Sequence, residues 1–289
     1  MRSCPLCSST ADVGRLWATE VLHCRACHLG FVQEPPDAAA QAEAYAADYY
    51  VGSRGYADYE QEKLALQANF RRRIRDLRRY QPGGDLFEIG CAYGFFLELA
   101  AAYWSTSGID VSAAAVDYAR NRLQLNVSQS GVEDYPMTPA SKDVIVLWDA
   151  VEHLRDPFSA VEKIAQALRP GGILALTTGD LDALVPRLQR TRWRLFHPLH
   201  LYYFSLRSMT KLLGRCGLEL VASSHEGNDR SVRQMAQALS ARVARTIERL
   251  PALANRTIRV NLFDIMLVIA RKPEDAAAPP APRPTPETR

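Results

Sequence analysis

The stretch Asp85-Leu86-Phe87-Glu88-Ile89-Gly90-Cys91-Ala92-Tyr93-Gly94-Phe95-Phe96-Leu97 decides the fold. An apolar run reaches the acid Glu88, turns through Gly90 and Gly94, and re-emerges with the apolar period of a helix. That pattern is a strand, a tight loop and a helix start, the place where open α/β sheets bind nucleotide-like ligands. Twenty residues past Gly90, Ile109-Asp110-Val111 closes a second strand on a carboxylate. A dinucleotide G-x-G-x-x-G is excluded, because its third and sixth positions from Gly90 hold Ala92 and Phe95. No G-K-[ST] follows, so a phosphate-cradling loop is excluded too. The remaining pattern is E-x-G-x-x-x-G.

Outward from this loop, strand and helix patterns alternate as in a parallel sheet with crossover helices. Strands are expected at Leu86–Ile89, Gly108–Val111, Val127–Ser130, Val144–Trp148, Ile173–Thr177, Leu218–Ala222 and Asp264–Ala270. Helices are expected at Phe95–Tyr103, Ser112–Leu123, Pro157–Leu168 and Ser205–Cys216, with Ser112 and Ser205 as N-caps. A helical insert near Ser231–Leu250 separates the last two strands.

These landmarks resemble class I S-adenosylmethionine-dependent methyltransferases of a bacterial small-molecule or glycan-modifying branch. The resemblance implies an α/β, Rossmann-like sheet of seven strands, the last antiparallel. It also implies that Glu88, Gly90, Ala92 and Gly94 pass close to the methionine part of the cofactor. Ala92 stands where the family usually has a third glycine. Asp110 would accept the two ribose hydroxyls, since a carboxylate suits two adjacent donors. Val111 is expected to contact the cofactor beside Asp110, Glu133 or Asp134 or their backbone would recognise adenine, and Asp149 would stand at the fourth-strand exit near the transferable methyl. Leu168-Arg169-Pro170-Gly171-Gly172 resembles the turn into the fifth strand.

Cys4-Pro5-Leu6-Cys7 and Cys24-Arg25-Ala26-Cys27 are two C-x-x-C pairs sixteen residues apart. Together Cys4, Cys7, Cys24 and Cys27 supply four thiolates for a closed, structural Zn2+ site, with iron an open alternative. Disulfides fit less well, because no signal peptide is evident and the cofactor implies a reducing cytoplasm. Cys91 and Cys216 read as packing residues.

The chain divides into a zinc-ribbon-like module at 1–35, a helical linker or cap with an Arg-rich helix at 36–84, a methyltransferase domain at 85–272, and a Pro/Ala-rich tail at 273–289 expected to be disordered. Its net charge of +3 singles out no partner. No apolar run approaches the ~20 residues of a membrane span, and the expected location is cytoplasmic. In the Arg-rich helix Phe70, Ile74 and Leu77 form an apolar face, which leaves Arg71, Arg72, Arg73, Arg75, Arg78 and Arg79 most simply as a solvated side, with a phosphate-binding patch the alternative.

Methyl transfer to a poor nucleophile needs a base. His153, His197 and His200 are the candidates, the last two within the aromatic and basic run Arg192–Ser205, which reads as a lid. Asp149-Ala150-Val151-Glu152-His153 also resembles a D/E-x-x-E-H arrangement of some small-molecule O-methyltransferases, which implies a divalent ion at Asp149, Glu152 and His153. Three functions compete. The first is methylation of a hydroxyl on a small molecule, sugar or glycan. The second is RNA methylation aided by the zinc module, disfavoured by modest charge and by the lack of an N-P-P-[YF] signature. The third is a non-catalytic zinc-ribbon adaptor.

Overall fold

The computed structural model describes residues 3–36 and 59–275. Residues 37–58 of the expected linker, and the tail from 276, lie outside the described residues. Seven strands form the main sheet: β4 (Asp85–Ile89), β5 (Ser105–Asp110), β6 (Val127–Gln129), β7 (Lys142–Trp148), β8 (Leu168–Gly179), β10 (Glu219–His225) and β13 (Ile265–Arg271), numbered in chain order with the smaller strands named below. Their spatial order is β10-β13-β8-β7-β4-β5-β6. The pairs among β6, β5, β4, β7 and β8 are parallel, and β13 runs antiparallel between β8 and β10. All seven expected strands are present, with the last antiparallel. Strand order reverses between β4 and β7, so the crevice for a ligand opens above their carboxyl ends.

The continuous apolar runs follow from burial on both faces. Phe87, Ile89, Ile145 and Leu147 pack on one side, and Leu86, Val144 and Val146 on the other. Ser112 and Ser205 do cap their helices, Ala113–Leu123 and Leu206–Arg215. Arg169 clamps the amino ends of β4 and β7 through Asp85 and Asp143.

Two parts are more elaborate than expected. The N-terminal strands β1 (Val13–Arg15), β2 (Val21–Cys24) and β3 (Leu29–Val32) form an antiparallel sheet completed by β9 (Tyr202–Tyr203) from the far side of the chain. Leu6, Leu22 and Leu29 of this module share an apolar cluster with Phe204, Met209 and Leu212. The insert before β13 holds two helices, Val232–Leu239 and Ala241–Glu248, and a short helical turn, Pro251–Ala254. They are framed by a ribbon of β11 (Asn228–Ser231) and β12 (Thr257–Val260).

The Arg-rich helix, Lys63–Leu77, corrects one expectation. Arg71 and Arg75 are exposed, but Arg73 is only 3% exposed. It sits one turn from Phe70 and Leu77 on the buried face, its guanidinium held by Glu226 at 2.9 Å and stacked on Trp148 at 4.8 Å. Arg72 pairs with Asp229. The helix therefore docks against the insert through two of its arginines. Among the described residues no helix is long and apolar enough to cross a membrane.

Candidate cofactor cleft and histidine cluster

Gly90 (φ 76°), Ala92 (φ 47°) and Gly94 (φ 79°) all adopt left-handed backbone, which coils the loop after β4 tightly. A Cβ on Gly90 would stand 3.2 Å from Ala150 Cβ, and one on Gly94 would run into Leu125. Gly90 and Cys91 donate N–H bonds to the Ile109 carbonyl at 2.8 and 3.0 Å, tying the loop to β5. Asp110, 3% exposed, accepts from Ala92 N–H at 2.8 Å and Ser112 N–H at 2.9 Å, one bond to each oxygen. Glu88 is 2% exposed, and its Oε2 has no hydrogen-bond partner. Burial, then the charge of Asp110, pushes this carboxyl well above the usual carboxylate range, with Arg73 opposing.

Beyond Asp110 the exposed Val111 meets the loop after β6. A Cβ on Gly131 would lie 3.0 Å from Glu133 Oε2, 3.9 Å from Asp134 Oδ2 and 4.0 Å from Val111 Cγ1, so these three side chains converge. Lys163 Nζ donates to the carbonyls of Val132 and Glu133 at 2.9 Å each and fixes that loop.

Across the crevice, Asp149 ends β7 with φ 51° and an exposed side chain. Its N–H donates to Thr177, and its carboxylate stands 3.7 Å from Arg73. Tyr59 packs on Tyr93 and Phe95 with ring centroids 5.8 and 6.4 Å apart. Burial, followed by the charges of Asp149, Asp110 and Glu88, raises its phenol. Tyr59 thus stands in the field of all three cleft carboxylates. Neither Tyr59 nor Arg73 is anticipated as a site residue by the sequence patterns. The signal for Arg73 was its place in the series 70, 73, 74, 77, the i, i+3, i+4, i+7 spacing of a buried face.

The turn Val151–His153 after Asp149 starts a second cluster. His153 Nδ1 lies 3.0 Å from the Leu199 carbonyl. A carbonyl only accepts, so Nδ1 carries the proton and Nε2 presents the lone pair. Burial pushes His153 down to about 4. The His200 ring stands edge-on to it at 4.6 Å, and burial together with His153 and His197 holds His200 well below its usual value. His197, 5.7 Å from His200, is lowered by burial, and its Nδ1 accepts the Leu199 N–H at 3.2 Å. Glu152 is pushed up to about 8 by burial and then by Asp149, and its Oε2 lacks a partner. Glu152, His153 and His200 each offer a ligand atom within 4.8 Å of the others. His200, from the aromatic run, completes this group, and Asp149 stands outside it.

At the N-terminus the sulfurs of Cys4, Cys7, Cys24 and Cys27 all lie within 4.8 Å of one another. Cys4 to Cys27 and Cys7 to Cys24 are each 3.5 Å, far beyond a disulfide bond and near the ~3.7 Å edge of a tetrahedron with ~2.3 Å metal–sulfur bonds.

A seven-stranded sheet in this order, with acid-tipped strands flanking a coiled glycine loop, defines the class I S-adenosylmethionine-dependent methyltransferase architecture. A family model described as "Methyltransferase domain" matches residues 59–223, more than half of the chain, and the chain belongs to that family. A Mycolicibacterium smegmatis protein named "Probable S-adenosylmethionine-dependent methyltransferase" is 29% identical over 140 residues, 48% of this chain and 53% of that protein. The Thiobacillus denitrificans "Ubiquinone biosynthesis O-methyltransferase" is 32% identical over 115 residues, 37% of this chain and 50% of that protein. The chain spans about half the length of the curated relatives it matches. Among solved structures, a SAM-dependent methyltransferase from Archaeoglobus fulgidus superposes with a TM-score of 0.54 at 17% identity, covering 78% of this chain and 98% of that one. A geranyl diphosphate methyltransferase in complex with SAM gives a TM-score of 0.53 at 15% identity, covering 78% and 95%. These structural likenesses show the fold.

Proposed function

We propose that this protein transfers a methyl group from S-adenosylmethionine to a hydroxyl oxygen of a small-molecule, sugar or glycan acceptor. The observation that carries the reading is the cluster of Glu152, His153 and His200 one turn past Asp149, beside a cleft whose buried Glu88 keeps an unpartnered oxygen. The cleft residues fit the cofactor. Glu88 Oε2 would take its ammonium group, Asp110 would accept the ribose diol, and Val111 with Glu133 and Asp134 would border adenine. The tight backbone at Gly90, Ala92 and Gly94 would admit the methionine part.

When bound, the cofactor supplies an electrophilic methyl on a sulfonium. The chain's own task is to align the acceptor oxygen with that carbon and to receive the proton. His153, with its Nδ1 turned to the Leu199 carbonyl, would offer Nε2 as the acceptor of that proton. His200 and His197 hold its ring in a neutral, water-poor surrounding. The same donors, Glu152, His153 and His200, would suit a divalent ion that lowers the hydroxyl's pKa. Cys4, Cys7, Cys24 and Cys27 would hold a structural zinc ion.

The reading is tested by calorimetric titration with S-adenosylmethionine beside an Asp110→Ala variant, followed by a screen of phenol and sugar acceptors. Micromolar binding lost in the variant supports it. No binding by folded, metal-loaded protein refutes it and promotes the adaptor function, whereas salt-sensitive RNA binding would favour the nucleic-acid enzyme.

A further inference from the structure

A cavity of about 260 Å³ opens beside the insert, lined by Arg194, Glu226, Arg230, Met235, Leu262, Ile265 and their neighbours. We propose that it is the acceptor's pocket, built for a small organic anion with an apolar body, and that Arg230 and Arg194 anchor the anionic group. The proposal rests on the methyl-transfer reading above and gives its acceptor a charge and a shape.

Position is the first support. Ile265 pairs with Gly179, the last residue of β8, and Asp180 N–H donates to the Asp264 carbonyl. The cavity therefore sits at the carboxyl edge of the sheet, the edge that also carries Asp149 at the end of neighbouring β7. One arginine connects the two. Glu226 in the cavity wall accepts from Arg73, which stacks on Trp148 and stands 3.7 Å from Asp149.

Charge is the second. Both carboxylates in the wall are already engaged: Asp264, 1% exposed, takes Trp193 Nε1 and Arg194 at 2.8 Å each, and Glu226 takes Arg73 at 2.9 Å. Arg230 differs. Among the described residues its guanidinium makes no ion pair or hydrogen bond, and it faces a like charge in Arg194. Its burial, followed by the Arg194 charge, lowers it from the usual arginine value, with Asp264 and Glu62 opposing. Arg194 already has Asp264, so the uncompensated charge is that of Arg230, a partly buried guanidinium that an anion would stabilise. A guanidinium fork also matches a carboxylate or phosphate in geometry.

The apolar lining is the third. Met235, Val260, Leu262 and Ile265 supply it, with Leu262 41% exposed at the rim. At ~30 Å³ per water, the space equals about nine waters, enough for one substituted ring. A sugar would leave this lining unsatisfied.

The test uses the full chain and three probes: 3-phenylpropionate, its neutral counterpart 3-phenyl-1-propanol, and inorganic phosphate. Wild-type protein should bind the acid about tenfold more tightly than the alcohol. Arg230→Gln should abolish that preference, and Met235→Trp, which fills the space, should weaken both aromatic probes. Phosphate binding as tight as the acid would show an anion site without the apolar pocket and overturn the proposal. Equal binding of acid and alcohol, or an unchanged preference in Arg230→Gln, would overturn it as well. S-adenosylmethionine is titrated into the same samples. Cofactor binding without acid preference sinks the pocket alone. An Arg230-dependent acid preference without cofactor binding sinks the methyl-transfer reading alone.

Discussion

Ala92 holds a backbone angle, φ 47°, that costs an L-residue about 1–2 kcal/mol relative to glycine. Its N–H is nevertheless the donor that orients Asp110. Ala92→Gly should relieve that strain while adding about 0.5–1 kcal/mol of unfolded-chain entropy. The expected net effect in urea denaturation is a gain of less than about 1 kcal/mol, with cofactor binding kept. A loss of more than about 1 kcal/mol would show that the methyl packs usefully. His153 gives a pH signature of definite sign. Its value falls from 6.5 to about 4 in the fold, so the unfolded chain binds more protons between those values. The associated stability is complete above about pH 6.5 and is lost as pH drops through about 4. Glu152, raised from 4.5 to about 8, acts in the opposite sense and loses its contribution as pH climbs through about 8. Melting temperatures followed across pH should therefore show an acid-side decline that His153→Gln flattens and a basic-side decline that Glu152→Gln flattens. Identical profiles in variant and wild type would place those groups in water. The strand-to-helix turn through Glu88, Gly90 and Gly94 and its neighbour Asp110 were legible in the sequence because loop conformation is local. Tyr59 was not, because its partners Tyr93 and Phe95 come from a different part of the chain.

Among the elements, the Lys63–Leu77 helix shows how far a charge count can mislead. A charge count treats its arginines alike, yet Arg73, which falls on the apolar spacing, is embedded among Glu226, Asp149 and Trp148 while Arg75 lies in solvent. Arg73→Met should cost about 3–5 kcal/mol, because it strands the largely covered Glu226 carboxylate without its partner. Arg75→Ala should stay within about 0.5 kcal/mol. Comparable denaturation midpoints for the two variants would contradict the burial. The main-sheet strands were predictable from apolar runs bounded by turns, since burial on both faces leaves that mark. The ribbon of β11 and β12 was not, since Asn228-Asp229-Arg230-Ser231 is polar throughout and its pairing is decided by what packs around it. The two residues of β9 are likewise too few to show a period.

Across the whole molecule, β9 links the cysteine module to the histidine cluster. Val32 N–H donates to the Leu201 carbonyl at 2.8 Å, and Leu201 N–H donates to the Glu152 carbonyl at 2.9 Å. His200 and Glu152 are thus carried on backbone that the N-terminal sheet braces. Zinc removal by a strong chelator should lower the melting temperature and methyl transfer together, and elemental analysis should count about one zinc per chain. Activity that survives complete loss of the metal would separate the module from the site. The shared strand also bears on synthesis. Gly30 waits for Tyr203, which leaves the ribosome about 170 residues later, about ten to thirty seconds at ordinary elongation rates. Through that interval the nascent hairpin has an open flank, and four thiols confined to its first turns are the means at hand to keep it in register until its last strand arrives.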